Sequence, residues 1–237
     1  YQMIKKLELS YKDHKILFKY CKKKKIDFLS TPYDVESAKF LKKLGVKLFK
    51  TASADLIDYN LHKYLAKLKK PVIISTGMST VNDVRRTINI YKKYKNLNIS
   101  LLHCVSNYPC SLKSINLKAI QLLKKFKFVV GYSDHSKDNL VSCLAVGIGS
   151  KIIEKHFTLN KNLKGPDHKA SCDPNELKSL IKEIRKTEVI MGKKTKKIQP
   201  EELEMSKISK KSLYFNKNKK IKSKIKSSDL IPLRPGL

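Results

Sequence analysis

Apolar residues gather in short, nearly continuous runs along this chain, and helix-periodic segments separate them. The runs are IDFLST (26–31), VKLFKT (46–51), PVIIST (71–76), ISLLHCV (99–105), FVVGYS (128–133) and KIIEKHFT (151–158). A run with little alternation suits a parallel strand covered on both faces. The segments between them carry helix starts. Pro32 stands at the head of DVESAKFLKKL, Asp138 precedes LVSCLAVGIG, and Asp173-Pro174 precedes LKSLIKEIRKTEVI. Thr80 and Asp83 form an imperfect capping box before VNDVRRTINIYKKY, with Asp where Glu fits best. Residues near 3–24 read as one more helical stretch. The pattern predicts a helix followed by six strand–helix units.

Repeated βα units leave two architectures, an open doubly wound sheet or a closed barrel. No GxGxxG or GxxxxGK[ST] follows any run. Polar and charged residues instead end nearly every run. A barrel collects its site from many strand ends, whereas an open sheet concentrates it at one switch point. The α/β class with a (β/α)8 barrel is therefore expected. Six units are two short of eight, and the chain opens with Tyr rather than Met. The expectation is a truncated barrel whose 26–31 strand has an exposed apolar edge. After about residue 192 the texture changes, with 13 Lys in residues 192–229 and sparse apolar positions. Residues 1–191 are read as the barrel portion, 192–210 as a linker and 211–237 as the start of a small second domain. A disordered basic tail is the alternative.

Composition adds limits. The 237 residues are 41% hydrophobic and 30% charged, which gives a globular chain with a sizeable core. No apolar stretch approaches 18 residues, so no membrane span is expected. The net charge is +32, yet only Arg85, Arg86, Arg185 and Arg234 are arginines, and the 48 lysines are spread from end to end. Specific nucleic-acid readers need concentrated arginine forks, so this excess reads as a solvated surface. The five cysteines are odd in number and lack CxxC spacing. Reduced thiols and a cytoplasmic setting fit best.

The strand ends hold the candidate chemistry. Lys50, followed by Thr51 and Ser53, makes a seat for an oxyanion or phosphate. Ser75-Thr76-Gly77 repeats the theme, and Gly77 permits close approach. His135 and His156 end neighbouring strands, and two imidazoles converging there can hold a divalent metal with positions left open. Glu154 points the same way as His156 in a strand and can orient it. A buried hydrogen-bonded role suits each histidine equally well when taken alone. Asp167, in the turn GPDH, can grip a polyol or simply make the turn. Covalent catalysis by Cys104 lacks an evident base. The residues point to a metal-assisted enzyme acting on an anionic substrate.

Taken in order, STPYD (30–34), FKTASADL (49–56), PVIISTGMST (71–80), LLHCVSNYP (101–109), VGYSDHS (130–136), IIEKHFTLNKNLKGPDHKAS (152–171) and LRPG (233–236) resemble the N-acetylneuraminate synthase family of sialic and related nonulosonic acid synthases. That resemblance implies a (β/α)8 barrel followed by a small antifreeze-like (SAF) domain, in a domain-swapped homodimer. It implies condensation of phosphoenolpyruvate with an N-acetylated hexose, N-acetylmannosamine giving N-acetylneuraminate, with phosphate release. Legionaminate or pseudaminate synthesis is the alternative. By resemblance, Lys50, Ser53, Ser75 and Ser133 bind phosphoenolpyruvate with Thr31 nearby, and His135 and His156 ligate Mn2+ or Mg2+. Asp55, Tyr108 and Asp167 contact the acceptor, and Glu154 supports the metal. Ser106 and Asp55 stand where some members carry Asn and Glu, and both bear on which sugar fits. Another phosphoenolpyruvate-dependent or aldol-type barrel is a rival reading, and a non-catalytic polyanion binder a distant one.

Overall fold

The computed structural model describes residues 2–236, with side chains from residue 5 onward. It divides into two compact units, residues 1–191 and 192–237.

In the first unit, five strands form one parallel sheet: β1 (Phe49–Thr51), β2 (Val72–Ser75), β3 (Ile99–Cys104), β4 (Val129–Asp134) and β5 (Ile153–Lys155). Their order is β1-β2-β3-β4-β5, with no reversal. A doubly wound sheet would reverse direction at a switch point, so this is the winding of a barrel. The helices α3 (Val35–Leu44), α4 (Tyr59–Lys67), α5 (Val81–Lys93), α6 (Ala119–Lys124), α7 (Asn139–Gly147) and α8 (Pro174–Met191) complete the βα alternation. Neighbours pack side by side, α3 on α4, α4 on α5 and α7 on α8. The sheet is also curled. Four strand spacings of about 4.8 Å would hold β1 about 19 Å from β5 in a flat sheet. Yet Lys50 Nζ of β1 lies 3.2 Å from Glu154 Oε1 of β5.

Register sorts the strand residues onto two faces. Phe49, Val72, Ile74, Ile99, Leu101, Val130 and Tyr132 face the helices and form the core with Leu61, Leu65, Ile88 and Ile120. Lys50, Ser75, Cys104, Ser133 and Glu154 alternate with them and face the hollow of the curled sheet. Local chemistry sets the helix ends. Asp34 Oδ1 accepts from Ser37 N at 2.7 Å, and Gly45 ends α3 in the left-handed region at φ 95°. Thr80 and Asp83 do make a reciprocal capping box, despite the shorter acid.

Two expectations fail. Residues 26–31 form no strand ladder, so the sheet has five strands rather than six. Ile26 is exposed, and so is Leu29; an apolar run becomes a strand only where a neighbour accepts its hydrogen bonds. The single helical stretch near 3–24 is two helices, α1 (Gln2–Leu7) and α2 (Tyr11–Lys23). Ser10 divides them by capping α2 in a box with Asp13.

The second unit contains α9 (Leu203–Ser209) and an antiparallel pair, β6 (Ser212–Phe215) with β7 (Leu230–Leu233). Tyr214 Oη donates to Pro235 O, and Lys219 Nζ pairs with Asp229 at 2.7 Å. Among the described residues, no helix is long and apolar enough to cross a membrane. All five cysteines are free thiols.

Candidate active site

The strands end together at one rim of the sheet, and a cleft of about 560 Å³ opens there. Lys50 enters from β1, Ser75 from β2, Cys104 from β3, Ser133 from β4 and Glu154 from β5. The segments just beyond the strands add Ser53, Ser106, Tyr108, His135, His156 and Asp167, and Thr31 lies on the near wall. Asp55 does not line the cleft. It sits in the short turn Ser53–Asp55, where burial and Asp58 raise its pKa while Lys50 opposes them.

One side of the cleft is cationic and rich in hydroxyls. Lys50 is largely buried, and its Nζ reaches Glu154. Gly77 N donates to Ser53 Oγ at 3.0 Å, and Ser53 Oγ donates to Cys104 Sγ at 3.5 Å. A Cβ on Gly77 would lie 2.5 Å from Ser106 Oγ and 2.8 Å from Ser53 Oγ, so only glycine leaves this wall open. Ser75 Oγ and Glu154 Oε2 are buried without a hydrogen-bond partner. Unpaired buried polar atoms are costly, so two of them aimed at one cleft mark seats for a ligand's polar groups.

The other side is built of rings. The His135 and His156 centroids are 5.5 Å apart, and Tyr108 lies 4.1 Å from His135 and 5.1 Å from His156. His135 Nδ1 donates to Val105 O at 2.7 Å, which assigns its proton and leaves Nε2 with the lone pair. Ser133 Oγ lies 3.4 Å from that Nε2. His156 Nδ1 faces Asp167 Oδ2 at 3.8 Å. The loop carrying Asp167 is tied back beside the site by Cys172 N donating to His156 O at 2.8 Å. Burial lowers the pKa of His156, with Asp167 opposing. Burial also acts downward on His135, but bonding to Cys104 and Val105 O outweighs it and the pKa rises. Burial alone would raise the pKa of the Cys104 thiol; His135, Ser53 and Ser106 more than reverse that.

The donor set fits a divalent ion held by two imidazoles, with other positions left to water or substrate. The orphaned Glu154 Oε2 stands ready as an outer acceptor. Among the described residues, no group of three or more His, Cys, Asp and Glu is placed to hold a metal ion, so the protein's own donors here are the two imidazoles. Ala52 and Ala54, which flank Ser53 in the expected seat, line the cleft as well, whereas sequence reasoning missed Tyr33 and Met78. Met78 takes φ 55° just after Gly77, which the GM dipeptide alone does not announce.

A curled parallel sheet wound β1-β2-β3-β4-β5, with a polar cleft at its strand ends, defines the class as a β/α barrel. Residues 1–196 match the NeuB family, and the chain belongs to it. It is similar to the N,N'-diacetyllegionaminic acid synthase of Campylobacter jejuni, at 44% identity over 99% of this chain and 71% of that protein. The enzyme of the same name from Legionella pneumophila is 43% identical over all of this chain and 68% of its own length. The crystal structure of N-acetylneuraminic acid synthetase from Leptospira borgpetersenii, in complex with citrate, superposes with a TM-score of 0.82 at 38% identity. It covers 86% of this chain and 72% of that one. The chain is thus an enzyme of the sialic, legionaminic and pseudaminic acid synthase family.

Proposed function

We propose that this cleft condenses phosphoenolpyruvate with a 2,4-diacetamido-trideoxyhexose to give a legionaminate-type nonulosonic acid and phosphate. The observation that carries the chemistry is the pairing of the Lys50–Ser75 seat, with its orphaned hydroxyl, and the His135–His156 pair in one cleft. The choice of acceptor is supported by the two legionaminic acid synthases at 44% and 43% identity. N-acetylmannosamine, the simpler acceptor, is the second reading, favoured by the likeness to the Leptospira enzyme.

Lys50 and the hydroxyls of Ser53, Ser75 and Ser133 hold the phosphate and carboxylate of phosphoenolpyruvate, with Thr31 at the edge. His135 and His156 would hold Mn2+ or Mg2+, which supplies Lewis-acid polarisation of the acceptor's aldehyde. Tyr108, Asp167 and Ser106 lie where the acceptor enters. Asp55, at the end of the turn after β1, acts from outside the cleft lining. Carbon 3 of phosphoenolpyruvate attacks the aldehyde carbon, water adds at carbon 2, and the adduct loses phosphate by C–O cleavage. Seating the anion on one wall and the aldehyde on the other turns a bimolecular encounter into a positioned one. Residues 211–237 begin an antifreeze-like domain that serves a partner subunit in a homodimer.

Turnover with Mn2+ on each acceptor tests the reading. The expected result is a preference for the diacetamido sugar of roughly 100-fold, about 2.7 kcal/mol in transition-state discrimination. A comparable preference for N-acetylmannosamine overturns the choice of acceptor and leaves the condensation standing.

A further inference from the structure

The motifs GYSDH and EKHFT contain two charged residues that the reaction does not use. Asp134 and Lys155 are register partners, the last pair of the β4–β5 ladder. Both side chains point away from the cleft. Asp134 is fully buried and Lys155 nearly so, and Lys155 Nζ donates to Asp134 Oδ2 at 2.9 Å. The same ammonium donates to Ser136 O at 2.6 Å, just beyond His135. Asp134 Oδ2 also accepts from Ser142 Oγ of α7 at 2.6 Å, and Oδ1 accepts from Ser136 N at 2.8 Å. Every group in this network is satisfied, and it joins both strand ends, the following turn and the helix behind them. His135 and His156 are the next residues along each strand.

Burying two charges costs several kcal/mol in desolvation, and a well-packed apolar pair often serves stability as well. What an apolar pair lacks is direction. The ammonium fixes the distance between two strand ends and the turn that follows one of them. We propose that Asp134 and Lys155 are positioning residues that fix where the His135 and His156 rings meet. The metal-binding readout below rests on the proposed metal role of those rings; the ring geometry does not.

The test uses the whole chain with Lys155→Met, and with Asp134→Leu/Lys155→Met, which leaves no unpaired charge. One measurement is the His135–His156 ring separation, by crystallography. The other is the affinity for Mn2+ alone beside the affinity for phosphoenolpyruvate. In the double variant the rings should depart from 5.5 Å by roughly 1 Å or more, and Mn2+ affinity should fall at least about 10-fold. Phosphoenolpyruvate, seated at Lys50, should change less than about 3-fold, a split that general loosening would not give. Rings held at the parent separation overturn the proposal. So does a double variant that fails to fold, because the pair then serves stability, and so does a parallel loss of both ligands. If the parent chain binds no Mn2+, the metal reading fails and the ring separation alone decides the positioning.

Discussion

The two faces of the five-stranded sheet are made by the same strands, residue by alternate residue, and they obey opposite rules. Toward the helices stand Phe49, Ile74, Leu101 and Tyr132, each almost wholly buried among apolar neighbours. Toward the hollow stand Lys50, Ser75, Cys104, Ser133 and Glu154, where polar atoms are left without partners. The first face gains free energy from removing apolar surface from water. The second gives some up, holding a cation, a carboxylate and hydroxyls in a half-dry cleft. A single step along β1, from Phe49 to Lys50, crosses from one rule to the other. Substitutions one residue apart should therefore fail in different ways.

The largest effect is expected at Lys50. Lys50→Ala should lower kcat/KM roughly 10³-fold, about 4 kcal/mol, with the melting temperature almost unchanged. A variant that melts early instead would move Lys50 to the structural face. Leu101→Ala, on the other face and fully buried, should cost about 2–5 kcal/mol in denaturant unfolding while the folded fraction keeps its turnover. Loss of turnover in well-folded Leu101→Ala protein would blur the division.

His62 tests the helix side by pH. It is fully buried, its Nδ1 is 2.9 Å from Tyr91 Oη, and burial pushes its pKa down to about 4 from 6.5. The unfolded chain takes up this proton first. The contribution is therefore complete above pH 6.5 and is lost as pH falls toward 4, about 3 kcal/mol in all. Urea midpoints measured across that window should fall more steeply for the parent than for His62→Gln. Identical slopes would show that another group carries the dependence.

Gly77→Ala probes the cleft wall more gently. Its Cβ would meet Ser106 Oγ and Ser53 Oγ, so KM for the anionic substrate should rise about 10-fold, while stability falls by no more than about 1–3 kcal/mol. An unchanged KM would mean that the anion never approaches this wall. The smallest effect is expected at the half-exposed Lys161–Glu176 pair. Lys161→Met should change stability by less than about 1 kcal/mol.

Much of this division was legible in the chain. The runs at 46–51, 71–76, 99–105, 128–133 and 151–158 each contain a strand, because neighbouring strands accept their hydrogen bonds. The run at 26–31 has the same composition and no such neighbour, and composition cannot report a missing partner. Asp173 caps α8 as its position before Pro174 suggests, through bonds from Asn175 N and Glu176 N. Ser10 and Asp13 carry the same Ser/Thr–Asp capping box that Thr80 and Asp83 show before α5, and it is this box that divides the 3–24 stretch into α1 and α2. Of the site, the residues at strand ends converge in the cleft because strand register carries them there. Asp55 falls outside because it ends the short turn Ser53–Asp55, whose Ser53 and Ala54 line the cleft while its own side chain is partly buried elsewhere. The Asp134–Lys155 pair was invisible as a unit, since 20 intervening residues separate two positions that only the β4–β5 register joins.

The central claim is that the hollow face holds a specific anion seat, distinct from the general attraction of a +32 surface. Titration of phosphoenolpyruvate at physiological salt onto the parent, Lys50→Met and Lys39→Met tests it most directly. Each variant loses one positive charge, but Lys39 is an exposed residue paired with Glu36 on α3. The account predicts one site in the parent, affinity unchanged in Lys39→Met, and affinity at least about 10-fold weaker in Lys50→Met, about 1.4 kcal/mol. Equal weakening in the two variants, or binding that vanishes in all three as salt rises, would contradict it.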